Sequence, residues 1–123
     1  MPSHREIAIL FLKLAASGKV REAYSKYVSP NLKHHNPYFR SDRESLFLAM
    51  EENATKNPNK KFDIKLSLED RNLVATYSHL QENPGDPGIV VVHIFRFEGD
   101  HIVEMWDIGQ AVPEDSPNEN SMF

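Results

Sequence analysis

The strongest constraint on the fold of this chain is a change of hydrophobic period at Pro58. Before Pro58, apolar residues recur at helical spacing, as Ile7, Leu10, Phe11 and Leu14 do in the first segment. After Pro58, "KFDIKLSLE" alternates apolar and polar residues with the period of two that is typical of a half-buried strand. The sequence therefore predicts a helical first half followed by a sheet.

Start and stop signals predict three helices in the first half. Ser3 and Glu6 form a capping-box pattern, and Gly18 favours an end, so the first helix should cover about residues 4–17. A shorter second helix fits "KVREAYSKYV". Ser41 or Asp42 caps the third helix, "RESLFLAMEENATK".

The stretch between the second and third helices, "SPNLKHHNPYFR", contains Pro30 and Pro37 and is predicted to be irregular. Within it, Asn36 precedes a proline and is therefore held extended, which is typical of a turn. His34, the neighbour of His35, is predicted to be solvated.

The second half predicts four antiparallel strands. In "KFDIKLSLE", the residues Phe62, Ile64, Leu66 and Leu68 should share one face. "LVATYSHLQ" and "IVVVHIFRFE" follow, and the hairpin signal Gly99-Asp100 leads into "HIVEMWDIGQ". Helices on one face of a curved sheet make an α+β fold with a conical cavity, and small apolar ligands favour concave sites of this kind.

Composition excludes several classes of function. A length of 123 residues favours one domain over 1–123, with an extended polar tail at 113–123. The absence of cysteine excludes disulfides and thiolate chemistry and fits a cytoplasmic protein. The uncharged run 7–12 is too short for a signal core or a membrane span. With a net charge of −4 and no basic stripe, neither nucleic acid nor a membrane is an expected partner.

Several short motifs resemble the SnoaL-like, polyketide cyclase-type branch of the nuclear transport factor 2-like superfamily. They are His35-Asn36-Pro37, Arg96-Phe97-Glu98, Ile102-Val103-Glu104, Trp106-Asp107 and Gln110. The resemblance covers nearly the whole chain and implies a cystatin-like conical α+β barrel. Two positions depart from the pattern, since Met105 stands where the branch often has a histidine and Gly109 where it often has a branched aliphatic residue.

The resemblance implies that Asp107 is a general acid/base, with no metal and no cofactor. The reaction would remove a proton α to a carbonyl and then close a ring by aldol addition. A carboxylate suits this task in a partly apolar site, because burial raises its pKa toward the working pH. The alternative is structural, with Asp107 capping a strand end or pairing with a cation.

His93 and His35 are the further catalytic candidates. His93 could orient Asp107 or donate a hydrogen bond to a developing enolate. A simple two-residue turn, however, pairs His93 with Trp106 and places His93 and Asp107 on opposite faces, unless a bulge or a three-residue turn shifts the register by one. His35 or Asn36 could reach the mouth of the cone and bind a carbonyl oxygen.

Further side chains are candidates for the ligand pocket, although each could equally pack in the core or at an interface. They are Tyr24, Tyr27, His79, Trp106, Met105 and Phe95. Arg96 and Glu104 form a cross-strand ion pair in many sheets of this kind, but they do not oppose each other in the simple register.

Two functional hypotheses follow, a cofactor-independent cyclase or isomerase and a non-catalytic ligand-binding or dimerisation module. No local metal motif is present, so no metal is expected. The expected partners are a small apolar or carbonyl-containing molecule and a second copy of the chain. A homodimer would form through the sheet, with Phe95 or Phe97, Ile94 and the Met-Phe end as contacts.

Overall fold

A computed structural model describes residues 2–123. Its helices are α1 (His4–Ala16), α2 (Val20–Tyr27) and α3 (Arg43–Lys56). Its strands are β1 (Val28–His35), β2 (Lys61–Asp70), β3 (Leu73–Gln81), β4 (Ile89–Glu98) and β5 (His101–Ala111). None of the helices in this range is long and apolar enough to cross a membrane.

The helix boundaries follow the signals in the sequence. Ser3 and Glu6 form the capping box of α1, and Gly18, just beyond that helix, has a φ of +91°. Of the two candidate caps for α3, Asp42 is the one whose carboxylate accepts from the backbone N–H of Ser45. The three predicted helices are therefore confirmed, with α1 ending one residue early.

The sheet has five strands in the order β1-β5-β4-β3-β2, which corrects the prediction of four. Residues 29–35, predicted to be irregular, form the edge strand β1 together with Val28, and this strand pairs in parallel with β5. An edge position tolerates Pro30, because a strand with one neighbour can leave the missing N–H unpaired. The register shifts between Val28 and Lys33, around this proline.

A bulge in β2 reverses the faces of its second half. The register against β3 shifts between Ile64 and Leu66, so that Lys65 is the extra residue. Phe62 and Ile64 face the core, but Leu66 and Leu68 face outward and are exposed. The prediction that all four apolar residues share a face was wrong beyond Ile64, because one inserted residue inverts a period-two pattern.

The core lies between the helices and the concave face of the sheet. Its largest buried aromatic side chains are Phe11, Tyr24, Phe95 and Phe97. Phe11 meets Phe95 edge-on with ring centroids 5.9 Å apart. Phe95 and Phe97 therefore cannot contact a second copy of the chain through the outer face, and this part of the dimer prediction was wrong.

The last two strands form a hairpin with a second bulge. Gly99, with a φ of +58°, lies in the predicted two-residue turn, and Phe97 pairs with Ile102. The register then shifts by one, so that Arg96 pairs with Glu104. Beyond this bulge, every residue of β5 pairs one position away from the simple hairpin register.

The end of the tail 113–123 lies against the outer face of the sheet. The hydroxyl of Tyr77 donates to the carbonyl oxygen of Met122 at 2.6 Å. The ring of Phe123 packs on His79 with centroids 4.4 Å apart. The final Met-Phe pair thus contacts Tyr77 and His79, two side chains of β3 that point away from the helices.

Candidate functional site

A cavity of about 830 Å³ opens between the helices and the concave face of the sheet. Its apolar walls include Phe11, Leu12, Met50, Phe62, Val91 and Met105. Its polar lining includes Asn36, Asn53, Lys60, Glu82, His93 and Asp107. Tyr38 and Phe39, in the loop after β1, also border it and are exposed. This volume lies within the range of roughly 300–1,000 Å³ that is typical of small-molecule sites.

Asn36 and Asp107, which are 71 positions apart in the sequence, meet in the cavity wall. Asn36 lies just after β1, and its Nδ2 donates to Asp107 Oδ2 at 3.2 Å. The Oδ1 of Asn36 accepts from the backbone N–H of Tyr38 at 3.1 Å. One amide therefore holds the loop and orients the carboxylate.

The bulge in the last hairpin brings His93 to the same carboxylate. His93 pairs directly with Asp107 across β4 and β5, so both side chains point to the concave face. His93 Nε2 lies 3.5 Å from Asp107 Oδ2. The simple register, which would have separated these residues, is wrong, and the shifted register is present.

The surroundings of Asp107 combine partial solvation with one neighbouring imidazole. The side chain of Asp107 is 29% exposed and that of His93 is 12% exposed. Within the described residues, His93 is the only basic side chain within 4.0 Å of the carboxylate, so no arginine or lysine neutralises it. Asp107 therefore lines the cavity with Asn36 and His93 both approaching its Oδ2 atom.

His35 borders the cavity mouth, but its ring is engaged elsewhere. Its Nε2 donates to Glu104 Oε2 at 2.7 Å, and its ring stacks on Trp106 with centroids 5.0 Å apart. Glu104 also accepts from Arg96 Nε at 3.0 Å. The hydrogen bond from His35, followed by that from Arg96, lowers the pKa of Glu104. The ion pair that the simple register argued against is therefore present.

Two of the pocket candidates lie on the opposite face of the sheet. Trp106 alternates with Met105 and Asp107, which line the cavity, and therefore points to the outer face. His79 also lies outside the cavity lining, where its Nε2 donates to the carbonyl oxygen of Pro87 at 2.8 Å. Both placements differ from the prediction, because the period of two in a strand assigns neighbouring side chains to opposite faces.

Three aromatic candidates belong to the core or pack against it and do not line the cavity. Tyr24 is buried, and its hydroxyl donates to Met50 Sδ at 3.0 Å. Burial raises the pKa of Tyr24 well above the ordinary range. Tyr27 packs against the core, and Phe95 stacks beside His93. Of the predicted pocket residues, Asn36 and Met105 line the cavity directly.

His34 is buried rather than solvated, at 4% exposure. Its Nε2 donates to the carbonyl oxygen of Arg40, and its Nδ1 accepts from the backbone N–H of Asn36 at 3.3 Å. The prediction failed because residues 28–35 form a strand, which turns His34 inward beside Met105. His34 shapes the loop that carries Asn36.

Lys60 is a cavity residue that sequence reasoning missed. Its Nζ donates to Asn53 Oδ1 at 2.7 Å, and burial lowers the pKa of Lys60. The sequence did hold a signal for this placement, because Lys60 stands two residues before Phe62, which the alternation assigns to the inner face.

Among residues 2–123, no group of three or more His, Asp or Glu side chains could hold a metal ion.

Comparison with known proteins identifies the fold. No protein-family model and no curated protein matches the sequence. Among solved structures, an uncharacterized cystatin-fold protein from Novosphingobium aromaticivorans is similar, with a TM-score of 0.73, 20% identity and coverage of 88% of this chain and 99% of that one.

Two further solved structures that are similar to this chain are described as a nuclear transport factor 2-like protein and a SnoaL-like protein. A nuclear transport factor 2-like protein of unknown function from Cytophaga hutchinsonii has a TM-score of 0.71 at 17% identity, over 89% of this chain and 92% of that one. A SnoaL-like polyketide cyclase from Agrobacterium tumefaciens has a TM-score of 0.71 at 14% identity, over 89% and 93%. The fold is therefore that of nuclear transport factor 2-like and SnoaL-like proteins.

Proposed function

We propose that this protein is a cofactor-independent cyclase or isomerase in which Asp107 performs general acid/base chemistry on a carbonyl compound. The observation that carries the proposal is the Asp107 carboxylate in the wall of an apolar cavity, held by Asn36 at 3.2 Å with His93 at 3.5 Å. A carboxylate placed in this way can reach a proton of a bound ligand. The SnoaL-like polyketide cyclase of similar fold adds support by analogy.

In the proposed reaction, an oxygen of Asp107 takes the proton from the carbon α to a carbonyl, and the electron pair moves onto the carbonyl oxygen as an enolate. His93 or Asn36 donates a hydrogen bond to that oxygen. The α-carbon then attacks a second carbonyl of the same molecule, and a carbon–carbon bond forms. The new alkoxide recovers the proton from Asp107, so the carboxylate is regenerated.

The cavity supports a small, largely apolar substrate with carbonyl groups. Its walls are mainly aliphatic and aromatic, and the polar groups beside Asp107 can bind one oxygen without excluding apolar rings. Lys60 and Asn53 offer donors at the side of the cavity formed by α3 and β2. A molecule with one carbonyl beside Asp107 and a second acceptor near Lys60 would accept hydrogen bonds at both of these positions in the cavity.

A non-catalytic binding module is the second candidate, and the hydrogen bonds of Asn36 favour it. Asn36 joins Asp107 to the backbone of Tyr38, so Asp107 also serves as an anchor for the loop at the cavity mouth. In that case the same cavity would bind a ligand without turnover.

The experiment that separates the two candidates is exchange of α-protons in deuterated buffer, followed by NMR on a panel of ketones and β-keto esters. We expect the protein to catalyse exchange and Asp107→Asn to reduce it by about 10²–10⁴-fold, the usual contribution of a positioned acid/base. The matched control is Asp115→Asn, which removes an exposed carboxylate in the tail and should leave the rate unchanged.

Binding of each panel compound is measured alongside, as an increase in melting temperature. Equal exchange by the protein and Asp107→Asn would contradict the catalytic role. Stabilisation by a compound that is bound without exchange would support the binding module instead.

We further propose a homodimer through the outer face of the sheet and a cytoplasmic location. The outer face carries exposed apolar side chains at Leu66 (63%), Leu68 (71%) and Ile108 (60%), and Ile94 lies half-buried between them. A second copy of the same face would cover them. The cytoplasmic location rests on the absence of cysteine alone.

A further inference from the structure

Lys60 brings a positive charge into the wall of the cavity. It lies just before β2, is half-buried and lines the cavity together with Asn53 and Glu82. Burial is the largest cause of its lowered pKa, and the negative charge of Glu82 acts in the opposite direction. Within residues 2–123, no carboxylate lies within 4.0 Å of Lys60 Nζ. A partly desolvated ammonium without a close counter-ion is unfavourable, so an anion bound in the cavity would stabilise it.

Asn53 on α3 fixes the direction of this ammonium. Lys60 Nζ donates to Asn53 Oδ1 at 2.7 Å. Because an ammonium is a donor only, the Asn53 atom that faces it is the oxygen, and the Nδ2 donor of the same amide is left for another group. The ammonium itself has two more N–H bonds. Lys60 and Asn53 therefore present neighbouring donors, which suit the two oxygens of one carboxylate.

The sheet separates Lys60 from Asp107. In the order β1-β5-β4-β3-β2, two strands lie between β5, which carries Asp107, and β2, which begins directly after Lys60. Three strand spacings of about 4.8 Å each lie between them. Both side chains nevertheless line the same cavity. An anion bound at Lys60 is thus kept apart from the Asp107 carboxylate, and a ligand that reaches both has its polar groups several bonds apart.

We infer that the cavity takes a keto acid, whose carboxylate binds Lys60 and Asn53 and whose carbonyl group lies beside Asp107. The cavity walls include Met50, Phe62 and Val91, which suit the hydrocarbon that joins the two polar groups. Lys60 is the only lysine or arginine among the lining residues, which favours a singly charged carboxylate over a phosphate. Lys60 is therefore a specificity-determining residue.

This inference rests on the proposed function for the role of the carbonyl group. Recognition of the carboxylate, however, does not require turnover. It can be measured as binding, whereas the proposed reaction is measured as α-proton exchange, so the two can fail separately.

The test is the affinity of a series of probes for the full chain, measured by titration calorimetry. The probes are benzoyl-substituted aliphatic acids with about two to six methylene groups between the ketone and the carboxylate, a range that covers the strand spacings above. Each acid is paired with its methyl ester, which keeps the ketone and the hydrocarbon but removes the charge. We expect at least one acid to bind about tenfold more tightly than its ester, the effect of hydrogen bonds to a charged group.

Variants of Lys60 locate this preference. Lys60→Met keeps an apolar stem but removes the charge, so the acid and its ester should bind within about twofold of each other. Lys60→Arg keeps the charge and should retain part of the preference. The matched control is Lys61→Met, because Lys61 is exposed and lies outside the cavity lining, and its loss should leave the preference unchanged.

An unmodified protein that binds no acid more tightly than its ester would overturn the inference, even if Lys60→Met failed to fold. A folded Lys60→Met that keeps the full preference for the acid would overturn it as well. A preference that disappears in Lys60→Met, in a protein without α-proton exchange, would leave carboxylate recognition standing and contradict the proposed reaction alone.

Discussion

At the scale of single residues, Glu104 joins three strands through one carboxylate. His35 of β1 and Arg96 of β4 both donate to this residue of β5, and its side chain is 14% exposed. The hydrogen bond from His35 is the largest cause of its lowered pKa. Hydrogen bonds to a charged group are stronger than neutral ones, so this carboxylate stabilises the edge of the sheet that carries Asn36.

We expect Glu104→Gln to lower the free energy of unfolding by about 1 kcal/mol at neutral pH, because the ion pair is partly exposed. A carboxylate with a lowered pKa contributes stability that is present above its unfolded-state pKa of about 4.3 and is lost as the pH falls through the folded value. The unmodified protein should therefore lose stability more steeply than Glu104→Gln below about pH 4.3.

Urea denaturation at a series of pH values measures this difference. Glu98→Gln is the matched control, because Glu98 is 72% exposed and lies 3.6 Å from the same Arg96. The control should follow the unmodified protein. Parallel pH profiles for the unmodified protein and Glu104→Gln would show that Glu104 contributes no pH-dependent stability.

At the scale of elements, two bulges decide which side chains face the cavity. The bulge in β2 turns Leu66 outward, and the bulge in the last hairpin turns Asp107 toward His93. A bulge leaves one residue unpaired and moves the side chains beyond it to the opposite face of the sheet. The candidate site therefore depends on the strand register as well as on the types of residue that it contains.

Two glycines flank β4 and provide a matched test of the strand ends. Gly88 has a φ of +74°, and an added Cβ would clash with the carbonyl oxygen of Leu80. Gly99 has a φ of +58° with nothing within 4 Å of an added Cβ. Gly99→Ala should cost about 1–2 kcal/mol of unfolding free energy, the strain of a left-handed residue.

Gly88→Ala should cost more than Gly99→Ala, because the clash with a backbone atom adds to the same strain. The backbone N–H of Val112 also donates to the Gly88 carbonyl oxygen at 3.0 Å, so the far end of β5 should be disturbed as well. Chemical denaturation of the two variants measures the difference. Equal stability would mean that the Gly88 loop relaxes freely.

At the scale of the whole molecule, the outer face of the sheet is an apolar surface that the fold leaves partly open. The chain covers part of it with Phe123, which packs on His79, while Leu66, Leu68 and Ile108 stay exposed. Exposed apolar side chains grouped on one sheet face mark an interaction surface.

We expect light scattering at micromolar concentration to give about twice the chain mass of 14.1 kDa. Leu68→Lys, which places a charge on the outer face, should shift the protein to a monomer with its fold retained. Leu48→Lys is the control, because Leu48 is 52% exposed on α3, on the helical side, and should leave the dimer intact. A monomer for the unmodified protein would contradict the proposed interface.

Local signals determined a large part of this architecture. The capping box at Ser3, the hydrophobic spacing of α1 and the Gly99-Asp100 turn each act within a few neighbouring residues, and the structure follows them. The bounds of β3 and β4 agree residue for residue with the predicted segments. Backbone preferences and hydrophobic periods are properties of short segments, so the sequence by itself carries them.

Tertiary structure alone decided how the residues of the candidate site come together. The pairing of β1 with β5 joins residues about seventy positions apart, and it buried His34 and brought Asn36 to Asp107. The hairpin bulge moved Asp107 opposite His93, a choice between two registers that no local pattern distinguished. Both outcomes depend on how the curved sheet closes over the helical core, because the energy of the whole packed sheet outweighs the preference of any single turn.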